Sequence, residues 1–173
     1  MIRELTWHGG EPTLLPMSLI EGVEEYKKKY NCDFATSLQT NATLLTPEKI
    51  ADFERLNIRW GTSFDGLANN HNRGQLSTEK ILSLYKNHKK GHIPGFITVY
   101  TKETAHTMIE NYEYYKTIEG IPAFQSCIVR ENIIENTNPY LLDGESSAKY
   151  FLEYLDYWIH DTNNPLRDHF LER

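Results

Sequence analysis

Residues that could bind a ligand or move a proton occur in four short clusters, each where an apolar, strand-like stretch ends. The clusters are His8-Gly9-Gly10-Glu11, Gln39-Thr40-Asn41, Ser63-Phe64-Asp65-Gly66 and Thr101-Lys102-Glu103. They combine glycine backbone, which a ligand can approach closely, with carboxylates, amides and hydroxyls. The pattern predicts a polar binding site and leaves catalysis open.

Several of these residues also have a purely structural interpretation. Glu11 would be an exposed acid in a strand-to-helix turn, Asn41 a turn former, and Asp65 either a general base or the cap of the next segment. Gln39 and Asn41 are two residues apart at a strand end, so we expect them to face one side and to suit a nucleoside or a carboxylate. Ser63 and Asp65 are expected to share a face for the same reason.

The segments that must position the clusters alternate between strand-like and helix-like patterns. Strands are predicted at 5–8, 34–40, 58–64, 96–100 and 124–129, and helices at 16–29, from Thr46 onward, from Thr78 to Gly91, at 107–119 and at 146–160. Residues 67–75 are predicted to form a polar loop. This alternation predicts βα units around a parallel sheet, either doubly wound or curled toward a barrel, with ligands at the carboxyl ends of the strands.

Composition narrows the class of protein. At 173 residues the chain has about the length of one domain, and 39% hydrophobic with 24% charged residues is typical of a soluble protein. No apolar run is long enough for a membrane span and the first residues lack a signal pattern, so we expect a cytoplasmic protein with no membrane partner. A net charge of -6 with scattered basic residues disfavours nucleic acid as a partner.

Metal sites find little support in the sequence. The two cysteines, Cys32 and Cys127, are far apart and form no Cys-x2-Cys pair, so this chain alone cannot assemble a cysteine-ligated zinc or iron-sulfur site. His88 and His92 have helical spacing, but the neighbouring Gly91 favours a loop over a metal-binding helix.

Three ordered motifs carry a resemblance to a known family. They are WHGGEPTLL at 7–15, SLQTNATLLT at 37–46 and IRWGTSFDG at 58–66, the last followed by HNRG at 71–74. Together they resemble the radical S-adenosylmethionine superfamily, and within it the anaerobic sulfatase-maturating enzymes and related peptide-modifying maturases with a C-terminal auxiliary-cluster (SPASM) domain. The resemblance implies an incomplete parallel (β/α) barrel, a partial TIM-barrel-like core missing its first strand, at residues 1–140. Residues 141–173 would be a helical segment leading toward an auxiliary domain.

The same resemblance assigns roles to individual residues. Gly9, Gly10 and Glu11, with His8 beside them, match the motif that holds the methionine amino group of S-adenosylmethionine. The other matching positions are Gln39 and Asn41, which would line the same pocket, Ser63, which would contact the cofactor, and Arg73, which would meet the methionine carboxylate. Strand 124–129 would contact the adenine.

The family's chemistry requires a [4Fe-4S] cluster, and here the sequence departs from the pattern. In the family, a Cys-x3-Cys-x2-Cys loop before the Gly-Gly-Glu strand holds the cluster, which chelates the cofactor and cleaves it to the 5′-deoxyadenosyl radical. This chain has no such loop. Ala42 also replaces the usual glycine after Asn41, which disfavours a turn with positive φ.

These features lead to three functional hypotheses. The first is an interior fragment of an enzyme that oxidises a cysteine or serine of a peptide or protein substrate, such as a sulfatase, to formylglycine. Flavodoxin or ferredoxin would be the reductant of the parent enzyme, and the chain alone would be inactive. The second is a non-enzymatic module that binds S-adenosylmethionine or a peptide, a pseudoenzyme. The third is an unrelated hydrolase or transferase with Asp65 or Glu11 as base.

Overall fold

Six parallel strands form one sheet that does not close among the described residues. The computed structural model describes residues 3–87, 94–121, 123–129, 138–163 and 165–172. The strands are β1 Glu4–Trp7, β2 Ala35–Thr40, β3 Arg59–Ser63, β4 Phe96–Tyr100, β5 Ala123–Ile128 and β6 Arg167–Asp168. The helices are α1 Met17–Lys29, α2 Pro47–Arg55, α3 Asn69–Arg73, α4 Gln75–Asn87, α5 Met108–Lys116 and α6 Gly144–His160.

The order of the strands decides between the two predicted sheet types. Strands lie side by side in sequence order, β1 to β6, and every neighbouring pair is parallel. A doubly wound sheet would reverse its order at a switch point, whereas right-handed crossovers between consecutive strands place all helices on one face. The burial pattern agrees, because positions in β2, β3 and β4 alternate between buried and half-exposed. The α/β prediction is therefore confirmed in its barrel-type form, as an open parallel sheet.

The strand register brings the predicted clusters to one edge. Trp7 pairs with Leu38, Thr40 with Thr62, and Ser63 with Ile97. The residues that follow these strands therefore leave the sheet close together at its carboxyl edge, where sites of βα folds form.

Local signals in the sequence explain how several helices begin. The Thr46 side chain accepts a hydrogen bond from the Lys49 N–H at 3.3 Å, with Pro47 in the first turn, as the cap pattern predicts. α6 begins earlier than predicted because Asp143 caps it, accepting the Ser146 N–H at 2.8 Å. Among the described residues, no helix combines the length and the apolar character that a membrane span requires.

Two predictions about secondary structure were wrong, and one strand was missed. Residues 67–75 are not an irregular loop, because a 3-10 turn at Gly66–Ala68 leads into α3. α4 begins at Gln75 and not at Thr78, which lies inside the helix and accepts a hydrogen bond from the Asn69 side-chain amide at 2.8 Å through its hydroxyl. β6 was not predicted. The predicted helix end at Gly91 and the pair His88 and His92 lie outside the described residues.

An aromatic core fills the space between the sheet and its helices. Phe96 stacks on Phe124 with ring centroids 5.6 Å apart and meets Tyr115 edge-on at 4.7 Å. Tyr154 of α6 is 1% exposed, and its hydroxyl donates to the buried Asp168 carboxylate at 3.0 Å. Tyr154 thus joins α6 to the core, while β6 extends the sheet beside β5. The division of the chain at residue 140 stays a prediction.

A polar contact fixes the end of α6 to α5. The Asp161 carboxylate accepts hydrogen bonds from the Lys116 ammonium and the Tyr112 hydroxyl, both at 2.7 Å, and its side chain is 8% exposed. The hydrogen bonds from Lys116 and Tyr112 lower the pKa of Asp161 to about 2.

Asp161→Asn should make the protein less stable near neutral pH and less sensitive to acid. The stabilisation from the Asp161 charge is complete above the unfolded-state pKa of about 3.9 and is lost as the pH falls through the folded-state value near 2. Urea unfolding at pH 7, 4 and 2.5 measures this, with Asp156→Asn in α6 as the control because the Asp156 side chain is 80% exposed. Equal acid profiles for wild type and Asp161→Asn would contradict the assignment.

Candidate functional site at the carboxyl edge of the sheet

The Glu11 carboxylate ties the loop after β1 to the end of β2. One oxygen, Oε1, accepts the Thr13 N–H at 3.0 Å and the hydroxyls of Thr13 and Thr40 at 2.5 and 2.6 Å. The other, Oε2, accepts the Asn41 N–H at 2.9 Å. Burial alone would raise the pKa of Glu11, but these hydrogen bonds outweigh it and hold the pKa below its usual range. Glu11 therefore acts here as a structural anion, and it is not a free base.

The glycines before Glu11 leave open backbone at the sheet edge. Gly9 and Gly10 have φ of +93° and +56°, in the left-handed region that favours glycine. A Cβ at either residue would meet no atom within 4 Å, and His8 beside them is exposed. The structure thus presents His8, Gly9 and Gly10 to solvent as an accessible surface for a ligand.

The turn after β2 keeps the shape that glycine would give it. The Asn41 side chain accepts the N–H and the hydroxyl of Thr43 at 3.0 and 2.7 Å, which supports the turn-former interpretation of Asn41. Ala42 has φ of +65° and is fully buried. The expectation that alanine disfavours a positive φ here was wrong, because the bonded groups on either side hold the turn in place.

Gln39 and Ser63 meet across neighbouring strands on the half-exposed face of the sheet. The Gln39 amide donates to the Ser63 hydroxyl at 3.3 Å. Its side chain lies over Gly61, where an added Cβ would come within 2.8 Å of the amide oxygen. Gly61 therefore provides the space that brings these two predicted site residues together.

The Asp65 carboxylate holds Arg73 and does not cap the segment that follows. Oδ2 accepts the Arg73 Nε–H at 2.7 Å and Asn72 Nδ2 at 3.2 Å, while Oδ1 accepts Arg73 Nη2 at 3.1 Å and the Val99 N–H at 3.0 Å. No side-chain hydrogen bond from Asp65 caps the following turn. The interpretation of Asp65 as a side-chain cap was thus wrong, whereas its interpretation as a general base stays a prediction, with both carboxylate oxygens already hydrogen-bonded.

A cavity of about 350 Å³ lies beside this ion pair. It is lined by Asp65, His71, Asn72, Arg73, Val99, Thr101 and Tyr140. The predicted cluster at residues 101–103 contributes Thr101, whose hydroxyl lies 3.2 Å from that of Thr104 within a turn. Sequence reasoning missed Tyr140, which lies far along the chain and has no motif around it.

The residues of this chain do not fit an iron-sulfur cluster. Cys32 is exposed ahead of β2, at the amino edge of the sheet, whereas Cys127 is near the carboxyl end of β5. Two thiols so placed cannot share the ligation of one cluster, and the described residues contain no group of three His, Cys, Asp or Glu suited to a metal ion.

Known proteins with similar sequences include sulfatase-maturating enzymes. A cysteine-type anaerobic sulfatase-maturating enzyme of Clostridium novyi is 25% identical over 171 residues, which is 90% of this chain and 44% of that protein. A serine-type enzyme of Bacteroides thetaiotaomicron is 35% identical over 101 residues, 54% of this chain and 20% of that protein. The chain therefore spans less than half the length of these curated relatives.

The fold is shared with solved structures of such an enzyme. Native anSMEcpe with bound AdoMet and the Cp18Cys peptide superposes with a TM-score of 0.73 at 23% identity, covering 95% of this chain and 49% of that one. Residues 1–115 match the Radical SAM superfamily. Because this match covers more than half of the chain, the chain belongs to the radical SAM superfamily.

Proposed function

We propose that the chain forms the S-adenosylmethionine site of an enzyme that modifies a cysteine or serine side chain of a peptide or protein, as sulfatase-maturating enzymes do. The observation that carries the proposal is the convergence of the predicted ligand groups at one edge of an open parallel sheet. In a whole enzyme that also held the cluster and received an electron from a reductant, bound S-adenosylmethionine would release methionine and supply a 5′-deoxyadenosyl group that takes a hydrogen atom from the substrate.

In this proposal some residues of the chain bind the cofactor, and others hold the loops that carry them. The open backbone at Gly9 and Gly10, beside His8, offers polar groups to the methionine amino group. The Gln39 amide and the Ser63 hydroxyl present polar atoms on the half-exposed face of the sheet. Glu11 and Asn41 hold the loops that carry them.

The two thiols of this chain cannot ligate the cluster that drives this chemistry in the family. We therefore expect the 173-residue chain to bind the cofactor weakly and to be inactive alone, with a reductant such as flavodoxin or ferredoxin serving the whole enzyme. The same count of two cysteines also fits a second candidate, a pseudoenzyme module that binds S-adenosylmethionine or a peptide.

Titration of the ¹⁵N-labelled chain with S-adenosylmethionine, followed by NMR, should shift the resonances of Gly9, Gly10 and the Gln39 amide. Gln39→Ala should abolish the shifts at Gly9 and Gly10, because it removes a polar group from the proposed pocket. Ser37→Ala is the matched control, since Ser37 lies on the same face of β2, two residues before Gln39, and makes a similar cross-strand hydrogen bond with Thr6 at 2.9 Å. Shifts spread over the amino edge, or equal loss in both variants, would reject the proposed site.

Anaerobic addition of iron and sulfide tests whether this chain alone can bind an iron-sulfur cluster. The chain should gain no stable cluster absorbance, because its thiols lie at opposite edges of the sheet. A stoichiometric cluster on this chain would overturn that account, and cofactor cleavage by the chain alone would do so directly.

A further inference from the structure

A second cavity lies between α2 and α4, apart from the site at the carboxyl edge of the sheet. It has a volume of about 590 Å³ and is lined by Leu45, by Pro47, Ile50 and Ala51 of α2 and by Leu84 of α4. None of these residues belongs to the four polar clusters. We call this cavity the α2–α4 trough. Apolar surface that is bordered by polar residues is typical of interaction sites.

Two exposed leucines extend the apolar surface beyond the trough. Leu44 comes directly before Leu45 and is 40% exposed, and Leu76, in the first turn of α4, is 60% exposed. Leu76 precedes Lys80 and Ser83, which both line the trough, by four and seven residues. Residues at this spacing share one face of a helix, so Leu76 lies on the side of α4 that forms the trough.

The trough carries one acid and one base, on opposite walls. Glu54 belongs to the α2 wall and Lys80 to the α4 wall, and both are exposed. Within the part of the chain that the structure describes, the Lys80 ammonium forms no ion pair. The Glu54 carboxylate can accept hydrogen bonds from several donors. A surface with this arrangement is complementary to itself after a two-fold rotation, because the acid of one copy then meets the base of the other.

Hydrogen bonds to the rest of the fold hold the α4 wall in place. The buried Ser77 hydroxyl donates to the Asn41 carbonyl oxygen at 3.3 Å, and the buried Tyr85 hydroxyl donates to the Pro94 carbonyl oxygen at 2.8 Å. The α2 wall begins at the Thr46 cap. Walls that are already ordered lose little conformational entropy when a partner binds.

A second copy of the chain fits the trough better than a short peptide helix does. The α2 wall from Pro47 to Glu54 is roughly 10 Å long, at about 1.5 Å per residue. A peptide helix of that length is unstable on its own in water, so its ordering would cancel much of the binding energy. A second copy instead brings two preformed helices and the complementary charges.

We propose that the α2–α4 trough is the interface of a symmetric homodimer, in which Glu54 of each copy pairs with the partner's Lys80 and the apolar linings face each other. The proposal does not depend on the proposed function, because no residue of the trough is assigned to S-adenosylmethionine. Walls of about two helical turns make a small interface, so we expect a reversible dimer with a dissociation constant of roughly micromolar magnitude.

Sedimentation velocity of the 173-residue chain over a range of concentrations measures this association. Glu54→Lys and Lys80→Glu should each weaken the dimer at least about tenfold, because each substitution places like charges opposite each other twice in a symmetric interface. An equimolar mixture of the two variants should recover the dimer, since every acid then meets a base again. The double variant should recover it for the same reason.

Leu76→Ser tests the apolar part of the interface. It should weaken the dimer roughly tenfold, because an exposed leucine no longer becomes buried on association. The matched control is Leu152→Ser in α6, where the leucine is 62% exposed but lies on a different helix. This control should leave the association unchanged, and circular dichroism should show the same helix content in all variants.

Several results would overturn the proposal. Wild type that stays monomeric at the highest concentrations would show that the trough does not bind a second copy. A dimer that persists in both charge variants, or that their mixture does not recover, would place the interface on another surface. Equal weakening by Leu76→Ser and Leu152→Ser would contradict the role of the trough as well.

Discussion

Gly66→Ala should lower the free energy of unfolding by about 3 kcal/mol or more. Gly66 has φ of +61°, where an alanine costs roughly 1–2 kcal/mol. An added Cβ would also lie 2.6 Å from the Tyr115 hydroxyl oxygen and overlap the Asn111 side chain. Such overlap in a packed interior costs typically a further 1–3 kcal/mol.

The atoms that would meet this Cβ cannot move aside without breaking other contacts. The Asn111 side-chain Oδ1 accepts the Leu67 N–H at 2.9 Å, and the Tyr115 hydroxyl lies 2.8 Å from that of Thr98. Asn111 and Tyr115 are both buried. The substitution should therefore displace the 3-10 turn that begins at Gly66 and leads to Arg73.

Gly10→Ala is the matched control for Gly66→Ala. Gly10 has φ of +56°, but a Cβ there would meet nothing within 4 Å, so only the backbone cost of about 1 kcal/mol remains. Urea unfolding followed by circular dichroism gives both values, and at roughly 2–4 °C per kcal/mol thermal unfolding should separate the variants as well. Similar losses in the two variants would show that the turn adapts, contrary to the packing argument.

The sequence predicted the sheet well because the relevant information is local. Strand periodicity, turn residues and the alternation of strands with helices all act within a few residues, and β4 at Phe96–Tyr100 was predicted without error. β6 was missed because a two-residue strand has no period. It is held by Asp168, whose carboxylate accepts the Ser126 N–H at 3.1 Å and the Tyr154 hydroxyl. α3 was also missed, because the contacts that hold it are not visible in a local pattern. The Asn69 side chain accepts the Asp65 N–H and donates to the Thr78 hydroxyl, and it thereby joins separate elements.

The site was located from the sequence, but the roles of its carboxylates could not be. Glu11 and Asp65 stand at strand ends, where catalytic acids and structural acids look alike in sequence. Only the structure shows that both carboxylates accept hydrogen bonds from residues 29 to 34 positions away in sequence. These residues are Thr40 and Asn41 for Glu11 and Val99 for Asp65. The hypothesis of an unrelated hydrolase or transferase depends on Asp65 or Glu11 as a base. The hydrogen bonds that both carboxylates accept disfavour that role.

Glu11→Ala should cost about 3 kcal/mol of unfolding free energy and abolish the S-adenosylmethionine shifts at Gly9, Gly10 and Gln39. The carboxylate accepts hydrogen bonds from two backbone N–H groups and two hydroxyls. Hydrogen bonds to a charged group contribute roughly 1.5–3 kcal/mol each. Because Glu11 is half-buried, water replaces some of these hydrogen bonds in the variant, and the total loss is smaller than their sum. Without them, the loop after β1 loses its connection to β2. The control is Glu25→Ala, at an exposed position of α1, which should change neither quantity.

Glu11→Gln and acid titration separate the charge of Glu11 from its shape. The amide preserves the outline of the side chain but turns one oxygen into a donor, so we expect a loss of about 1 kcal/mol. Because the folded-state pKa of Glu11 is lowered, its charge stabilises fully above the unfolded-state pKa of about 4.3, and this contribution disappears as the pH falls further. The alanine and glutamine variants should therefore lose less stability than wild type on acidification.

If Glu11→Ala kept full stability but lost the cofactor shifts, Glu11 would be a ligand-binding group, as the family resemblance implies. Parallel loss of both instead identifies Glu11 as the residue that holds the site together.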